Sequence, residues 1–425
     1  MTTHRKKLDG TRHDTVAFLA WCCLLAGSAP SSAEDWPAFR GPRADGTTVG
    51  AEIPLTWSDR EHLQWKYRLP GKGFSSPIVV GSHVLVTCYS DAEPDLSKLK
   101  RHLVCLDRKT GEVEWTKTVP ALEPEQFGAS FGTRHGFASH TPASDGKSIY
   151  VLFGNSGVFA FDMEGRQRWH RKVGTMNAGL FGSASSPIVH DGRLIVTAAS
   201  ESSAIVALDT KDGRELWKAK ADPLARCYST PVVAKNSDGE EELLVQVPFE
   251  LWSLRLSNGK LRWYAETGVD TNAVPNVVVD DNIAYVIGGR SGARAAVGLG
   301  GKGDVTKTHR LWATSGGSYV PSPVLYEGHL YWVNDRGIAH CVDAKTGKLV
   351  HRRRIGGSYY ASLVRVNDRL YAVSRFDGTR VLQASPNLKE LAHNKLSDDT
   401  DFSASPAVSD RQLFLRSQEW LYCIQ

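Results

Sequence analysis

The sequence predicts an all-β fold, an eight-bladed β-propeller of four-stranded antiparallel blades whose ring is closed by an N-terminal strand. Two repeats and the way the chain ends predict it. A small residue followed by proline, or by a close substitute, recurs as Ser76-Pro77, Thr141-Pro142, Ser186-Pro187, Thr230-Pro231, Val274-Pro275, Ser322-Pro323, Ser362-Leu363 and Ser405-Pro406. The steps are 65, 45, 44, 44, 48, 40 and 43 residues. A period in the forties within a strand-rich chain is the mark of propeller blades.

Each anchor opens a blade. A short apolar strand follows, and then turn residues such as Asp191-Gly192 or Glu327-Gly328, which supply the positive φ angles of two-residue hairpins. A second strand comes next, as in Leu194-Ile195-Val196-Thr197. The third strand ends in the second repeat, Cys105-Leu106-Asp107-Arg108-Lys109-Thr110-Gly111, with Trp115 four residues after the glycine. The same spacing holds for Asp209, Gly213 and Trp217 and for Gly259 and Trp263; it is one residue shorter at Asp162, Gly165 and Trp169. In blade six His351 stands where the indole would be. Trp65, Trp115, Trp169, Trp217, Trp263 and Trp312 are therefore expected to dock between blades as large rigid surfaces. The last anchor leads into only three strands, whereas Leu63 to Leu69 is a fourth-strand sequence with no strands before it. Joining the two removes the open edges that strands must otherwise protect.

The leader and the charge place the chain. Thr15 to Gly27 is an uncharged, mostly apolar run of 13 residues preceded by Arg5, Lys6, Lys7 and Arg12, with small residues at Ser31-Ser32-Ala33. That pattern predicts a signal peptide over residues 1–33, an N-terminal extension over 34–60 and the propeller over 61–425, in a periplasmic or secreted protein. Bilayer spanning needs about 20 apolar residues, so no transmembrane segment is expected after cleavage. Cleavage removes four basic and two acidic side chains, taking the formal charge from +5 to +3, which gives no reason to expect nucleic acid. Of the cysteines that remain, Cys105, Cys341 and Cys423 share the repeat slot of Ala160, Ala207 and Ser253, so no structural disulfide is expected. A monomer is expected.

The docking repeat resembles that of the pyrroloquinoline quinone (PQQ)-like propellers, whose usual form is Ala-x-Asp-x-x-Thr-Gly-x-x-x-Trp; Cys105 to Trp115 matches all of it but the first residue. Asp35-Trp36-Pro37-Ala38-Phe39-Arg40-Gly41-Pro42, Gly300 to His309 and Tyr331-Trp332-Val333-Asn334-Asp335 look like segments of secreted bacterial members of the planctomycete type. The chain also resembles the propeller lipoprotein of the outer-membrane β-barrel assembly machinery, without its lipid attachment site. That resemblance implies a non-catalytic module, free of cofactor, that binds an envelope protein, peptide or glycan. The alternative it implies is a PQQ-dependent dehydrogenase. Those enzymes hold the quinone and a calcium ion with adjacent cysteines, a stacking tryptophan and carboxylates, and the only adjacent cysteines here are Cys22-Cys23 in the leader.

Residues just before each anchor should ring the funnel: Lys72, Phe74, His140, Arg226, Tyr228, Asp270, Asn272, Tyr319, Tyr359, Tyr360 and Asp401. Aromatic platforms with a few charges suit a concave site for a polar ligand or peptide. The insertion behind the 65-residue step adds Arg134 and His135, which with His140 suit an acidic group. No catalytic residue and no metal set is assigned; Asp398 to Asp401 is read as a solvated turn. Gly298-x-Gly300-x-x-Gly303 has the letters of a dinucleotide fingerprint but is followed by a strand-like stretch, Val305 to Trp312, and not by a helix.

Overall fold

The computed structural model describes residues 34–125, 137–176 and 181–425. Eight antiparallel four-stranded blades form a ring. Blade one comprises Ile78–Val80, His83–Ser90, Lys100–Asp107 and Val113–Pro120, and blades two to seven follow the same order from the innermost strand outwards. Blade eight takes Ala407–Ser409, Gln412–Arg416 and Trp420–Ile424 from the C-terminus and Leu63–Arg68 from the other end of the chain. The closing pair is antiparallel, with Trp65 opposite Cys423 and Tyr67 opposite Leu421. No helix among the described residues is long and apolar enough to cross a membrane.

The first repeat works by hydrogen bonding between neighbouring blades. The backbone N–H of Ser76 donates to Thr141 Oγ1 (2.9 Å), that of Thr141 to Ser186 Oγ (3.0 Å), and that of Ser186 to Thr230 Oγ1 (3.1 Å). The chain of bonds continues through Asn276, Ser322, Ser362 and Ser405. These groups are buried, where an unpaired N–H would be destabilising. The requirement is a short side chain with an acceptor oxygen, and valine has none. The anchor of blade five is therefore Asn276, not Val274, and the two steps around it become 46 and 46 residues.

The second repeat locks the outer strands. The indole N–H of Trp65 donates to Arg108 O (2.9 Å), that of Trp115 to Met163 O (3.0 Å), and that of Trp169 to Thr210 O (3.0 Å), each across a blade boundary. Trp217 and Trp312 do the same with Leu256 O and Ala344 O. Each ring lies on the turn glycine of the next blade. A Cβ built on Gly213 would stand 2.6 Å from the ring of Trp169, and Gly213 has φ of +70°. Gly192 has almost the same φ, +71°, but faces open space. Gly213→Ala should thus lose roughly 2–4 kcal/mol, from strain plus overpacking, against about 1–2 kcal/mol for Gly192→Ala. Equal losses in parallel denaturant titrations would remove the indole contact from the explanation.

Blade five departs from the pattern. The glycine-rich stretch forms a two-residue strand, Gly303–Asp304, pairing in parallel with the outer strand of blade four, and then a single helical turn, Thr306–His309. This corrects the expectation of continuous strand from Val305 to Trp312; the strand begins only at Arg310. Val305 and Leu299 close over Trp263, which is fully buried and donates to the buried carboxylate of Glu242 (2.8 Å) in its own blade.

Residues 34–60 pack on the ring. Trp36 exchanges two backbone hydrogen bonds with Val79 of blade one, at 2.9 Å each. Pro37 O accepts from Ser144 N of blade two, and Glu34 O from Ser409 Oγ of blade eight. Thr47–Thr48 adds a parallel strand to Val364–Val366 of blade seven. Trp57 stacks on Tyr371. These contacts fall on the innermost strands of blades one, two, seven and eight and on the second strand of blade seven.

Candidate functional site

The centre of the ring holds a cavity of about 570 Å³. Its wall is built from the anchors of all eight blades, whose hydroxyl and amide groups are largely engaged in the inter-blade bonds above. Phe39, from the N-terminal segment, is also part of the lining. Arg40 holds that segment in place. It is 2% exposed, donates to Asp45 O (2.6 Å) and reaches across to Pro323 O of blade six (2.5 Å). Burial lowers the Arg40 pKa to about 10, offset in part by Asp45, so it is still a cation at neutral pH. Its Nε and Nη2 donate to carbonyl oxygens, which accept without titrating.

Of the residues expected at the rim, Phe74, Tyr228, Tyr319 and Tyr360 line the cavity. Phe181, whose edge meets Tyr228 at 5.9 Å between centroids, and Arg290, which lies 5.3 Å over the ring of Tyr319, complete the lining with Phe39. The sequence reading missed these three. Phe39 had a signal in the string from Asp35 to Pro42, but nothing local says that this string crosses the channel.

Others stand behind the wall and position it. Asn272 is buried and donates to the hydroxyl of Tyr319 (3.2 Å). Asp401 is paired with Arg375, whose guanidinium lies 4.4 Å from the ring of Tyr360. Asp270 accepts from Ser291 N (3.2 Å) and braces the loop that carries Arg290. Lys72 and Arg226 do not line the cavity; their backbones pair with Tyr89 and Ala273. Asp398 accepts from Thr400 and from the Tyr422 hydroxyl (2.8 Å), as part of a turn.

Two expectations are corrected. Tyr359 is 1% exposed, in the core between blades six and seven, so it is no rim residue. Successive side chains of an extended chain point to opposite sides, and Tyr360 takes the funnel side. His140 is 2% exposed and within hydrogen-bond reach of Ser183 Oγ (2.9 Å). Burial, and then the charge of Arg101, push its pKa down to about 3, so it is neutral and not a cation for an acidic group. Arg101 itself is paired with buried Glu125. Arg134 and His135 lie outside the described residues.

The cavity is thus an aromatic cup with one charged side chain, Arg290, among its described lining residues. That lining holds no carboxylate to take a calcium ion and no cysteine. The five described cysteines are all buried elsewhere. The donor set does not fit the quinone and calcium of the dehydrogenases.

A closed eight-bladed ring lined at its centre by an aromatic cup defines a propeller with a concave face site. The family model described as outer membrane protein assembly factor BamB, a PQQ-like repeat family, matches residues 56–179 and 100–353, and the chain belongs to that family. It is 24% identical over 302 residues to the assembly factor BamB of Yersinia pestis, covering 64% of this chain and 72% of that protein. Among solved structures it is similar to BamB from Moraxella catarrhalis, with a TM-score of 0.61, 13% identity, and 85% and 99% of the two chains covered. It is also similar to the quinohemoprotein alcohol dehydrogenase from Comamonas testosteroni, with a TM-score of 0.68, 11% identity, and 92% and 80% covered. At such identities the structural likeness speaks for the fold alone.

Proposed function

We propose that this chain is a non-catalytic binding module of the cell envelope that takes an extended segment of a protein partner into the mouth of its funnel. The observation that carries the reading is the aromatic cup. A volume of about 570 Å³ holds a few side chains and excludes a folded domain. Its rings offer apolar and stacking surface, and Arg290 offers one charge for a carboxylate or a backbone carbonyl. The name of the matched family, an assembly factor for outer membrane proteins, supports a protein partner and an envelope location. The apolar run behind basic residues in the leader supports export through a cleaved signal peptide over residues 1–33. The described lining residues, without carboxylate or cysteine, speak against a quinone-dependent oxidation at this site.

The test is site-specific photo-crosslinking in intact cells. A photoreactive phenylalanine analogue replacing Tyr360 or Tyr319 should trap a discrete envelope protein. The same probe at Leu349, exposed on the outer strand of blade six, should trap nothing in common with it. Identical adducts from all three positions, or none from the two tyrosines, would refute the funnel as the docking site.

A further inference from the structure

Blades one, two and four bring three side chains together at matching places: the residue two before the one that faces the third strand's repeat slot, that slot residue itself, and the residue before the docking position on the fourth strand. In blade two these are Ser148, Ala160 and Arg168, and Arg168 donates to Ser148 Oγ (2.5 Å). In blade four they are Glu242, Ser253 and Arg262; Ser253 donates to Glu242 (3.1 Å) and Arg262 lies 3.7 Å from its other oxygen. Each of these sets pairs a donor with an acceptor. Blade one has His83, Cys105 and Glu114 instead, with no Arg or Lys among the three.

We propose that His83, Cys105 and Glu114 form a site for a divalent transition-metal ion of the zinc type, held by Nδ1, Sγ and a carboxylate oxygen. The donor atoms all lie within 4.8 Å of one another. His83 Nδ1 is 3.0 Å from Glu114 Oε2, and Cys105 Sγ is 3.7 Å from the same oxygen. Zinc bonds of about 2.0–2.3 Å at tetrahedral angles put such atoms roughly 3.3–3.7 Å apart, close to both separations from Glu114, while His83 Nδ1 and Cys105 Sγ start within 4.8 Å of each other. His83 Nδ1 is buried and makes no regular hydrogen bond. It points into the cluster, where its neighbour is the Glu114 carboxylate.

Charge and access agree with this assignment. A thiolate and a carboxylate neutralise a dication, and a mixed nitrogen, sulfur and oxygen set suits zinc rather than magnesium or calcium. Cys105 is fully buried, but the side chains of His83 and Glu114 are 21% and 33% exposed, so an ion and a water in the fourth position reach the site from solvent.

Cobalt(II) titration of the reduced full-length protein, after stripping with a chelator, tests the site. A sulfur-to-cobalt charge-transfer band should grow to one equivalent and be bleached by one equivalent of zinc. Cys105→Ser should abolish it. Cys341→Ser and Cys423→Ser, in the same slot of blades six and eight, should leave it intact. Glu114→Gln and His83→Gln alter partly exposed side chains, and each should weaken cobalt binding beyond the roughly 10–100-fold that loss of a ligand's orienting partner produces. Absence of the band in the wild-type protein would overturn the proposal. So would its survival in Cys105→Ser, or unchanged affinity in a folded Glu114→Gln, which decides the matter even if the cysteine variant fails to fold.

Discussion

Replacing Trp263 by alanine should destabilise the protein by at least the roughly 3–5 kcal/mol typical of large buried aromatics, and by more than the same change at Trp217. Two differences set Trp263 apart. It is fully buried, whereas Trp217 is 8% exposed. Its indole N–H also satisfies Glu242, a carboxylate that is itself fully buried, while Trp217 donates to a backbone carbonyl. Removing the ring leaves a cavity and also takes one partner from a buried charge, and the second loss adds about 1–3 kcal/mol. Trp263→Phe separates the two, since it keeps most of the volume and removes only the N–H. Its loss should fall near that second figure. Denaturant titration of the three variants decides the matter. A Trp263→Ala loss no larger than that of Trp217→Ala would mean that Glu242 finds other partners.

Deleting residues 34–70 should abolish the cooperative unfolding transition and leave an aggregating chain. The deletion removes Leu63–Arg68, so Trp420–Ile424 becomes an open edge, a template for pairing with other chains. Trp36, Trp57 and Trp65 go with it, and the first two are at most 3% exposed in the core shared by blades one, seven and eight. The same core would then face solvent along Tyr371, Phe414 and Leu421. Size-exclusion chromatography and a thermal melt are sufficient checks. A monomeric product with an unchanged melting curve would refute closure through the N-terminal strand.

The legible part of this protein is the part written locally. Ser-Pro, Asp-Gly and the spacing from turn glycine to tryptophan are short-range requirements, and each is met within about ten residues of chain. Repetition then multiplied a weak signal eightfold. Reading the proline as the anchor misplaced blade five, because the structural need is the acceptor oxygen that precedes the strand, and Asn276 supplies it two residues later than Val274. Blade-by-blade comparison of acceptors would have found it.

The candidate site was legible only where it follows the repeat. Phe74, Tyr228, Tyr319 and Tyr360 precede their anchors and so reach the funnel. Tyr359 also precedes its anchor, but the extended backbone turns adjacent side chains to opposite sides, and only packing says which of Tyr359 and Tyr360 faces water.

By itself, then, the sequence determined the number of blades, their strand order, the docking of five of the six indoles on the next blade's turn and the closure of the ring, since all of these follow from short-range chemistry repeated at a fixed period. Only the tertiary structure decided what the ring encloses. The 283-residue separation between Arg40 and the carbonyl it holds, the Phe39 ring beside the funnel, the neutral buried His140 and the meeting of His83, Cys105 and Glu114 on three strands depend on distances through space. Burial and proximity of that kind set charge and access, and neither is encoded in any one stretch of chain.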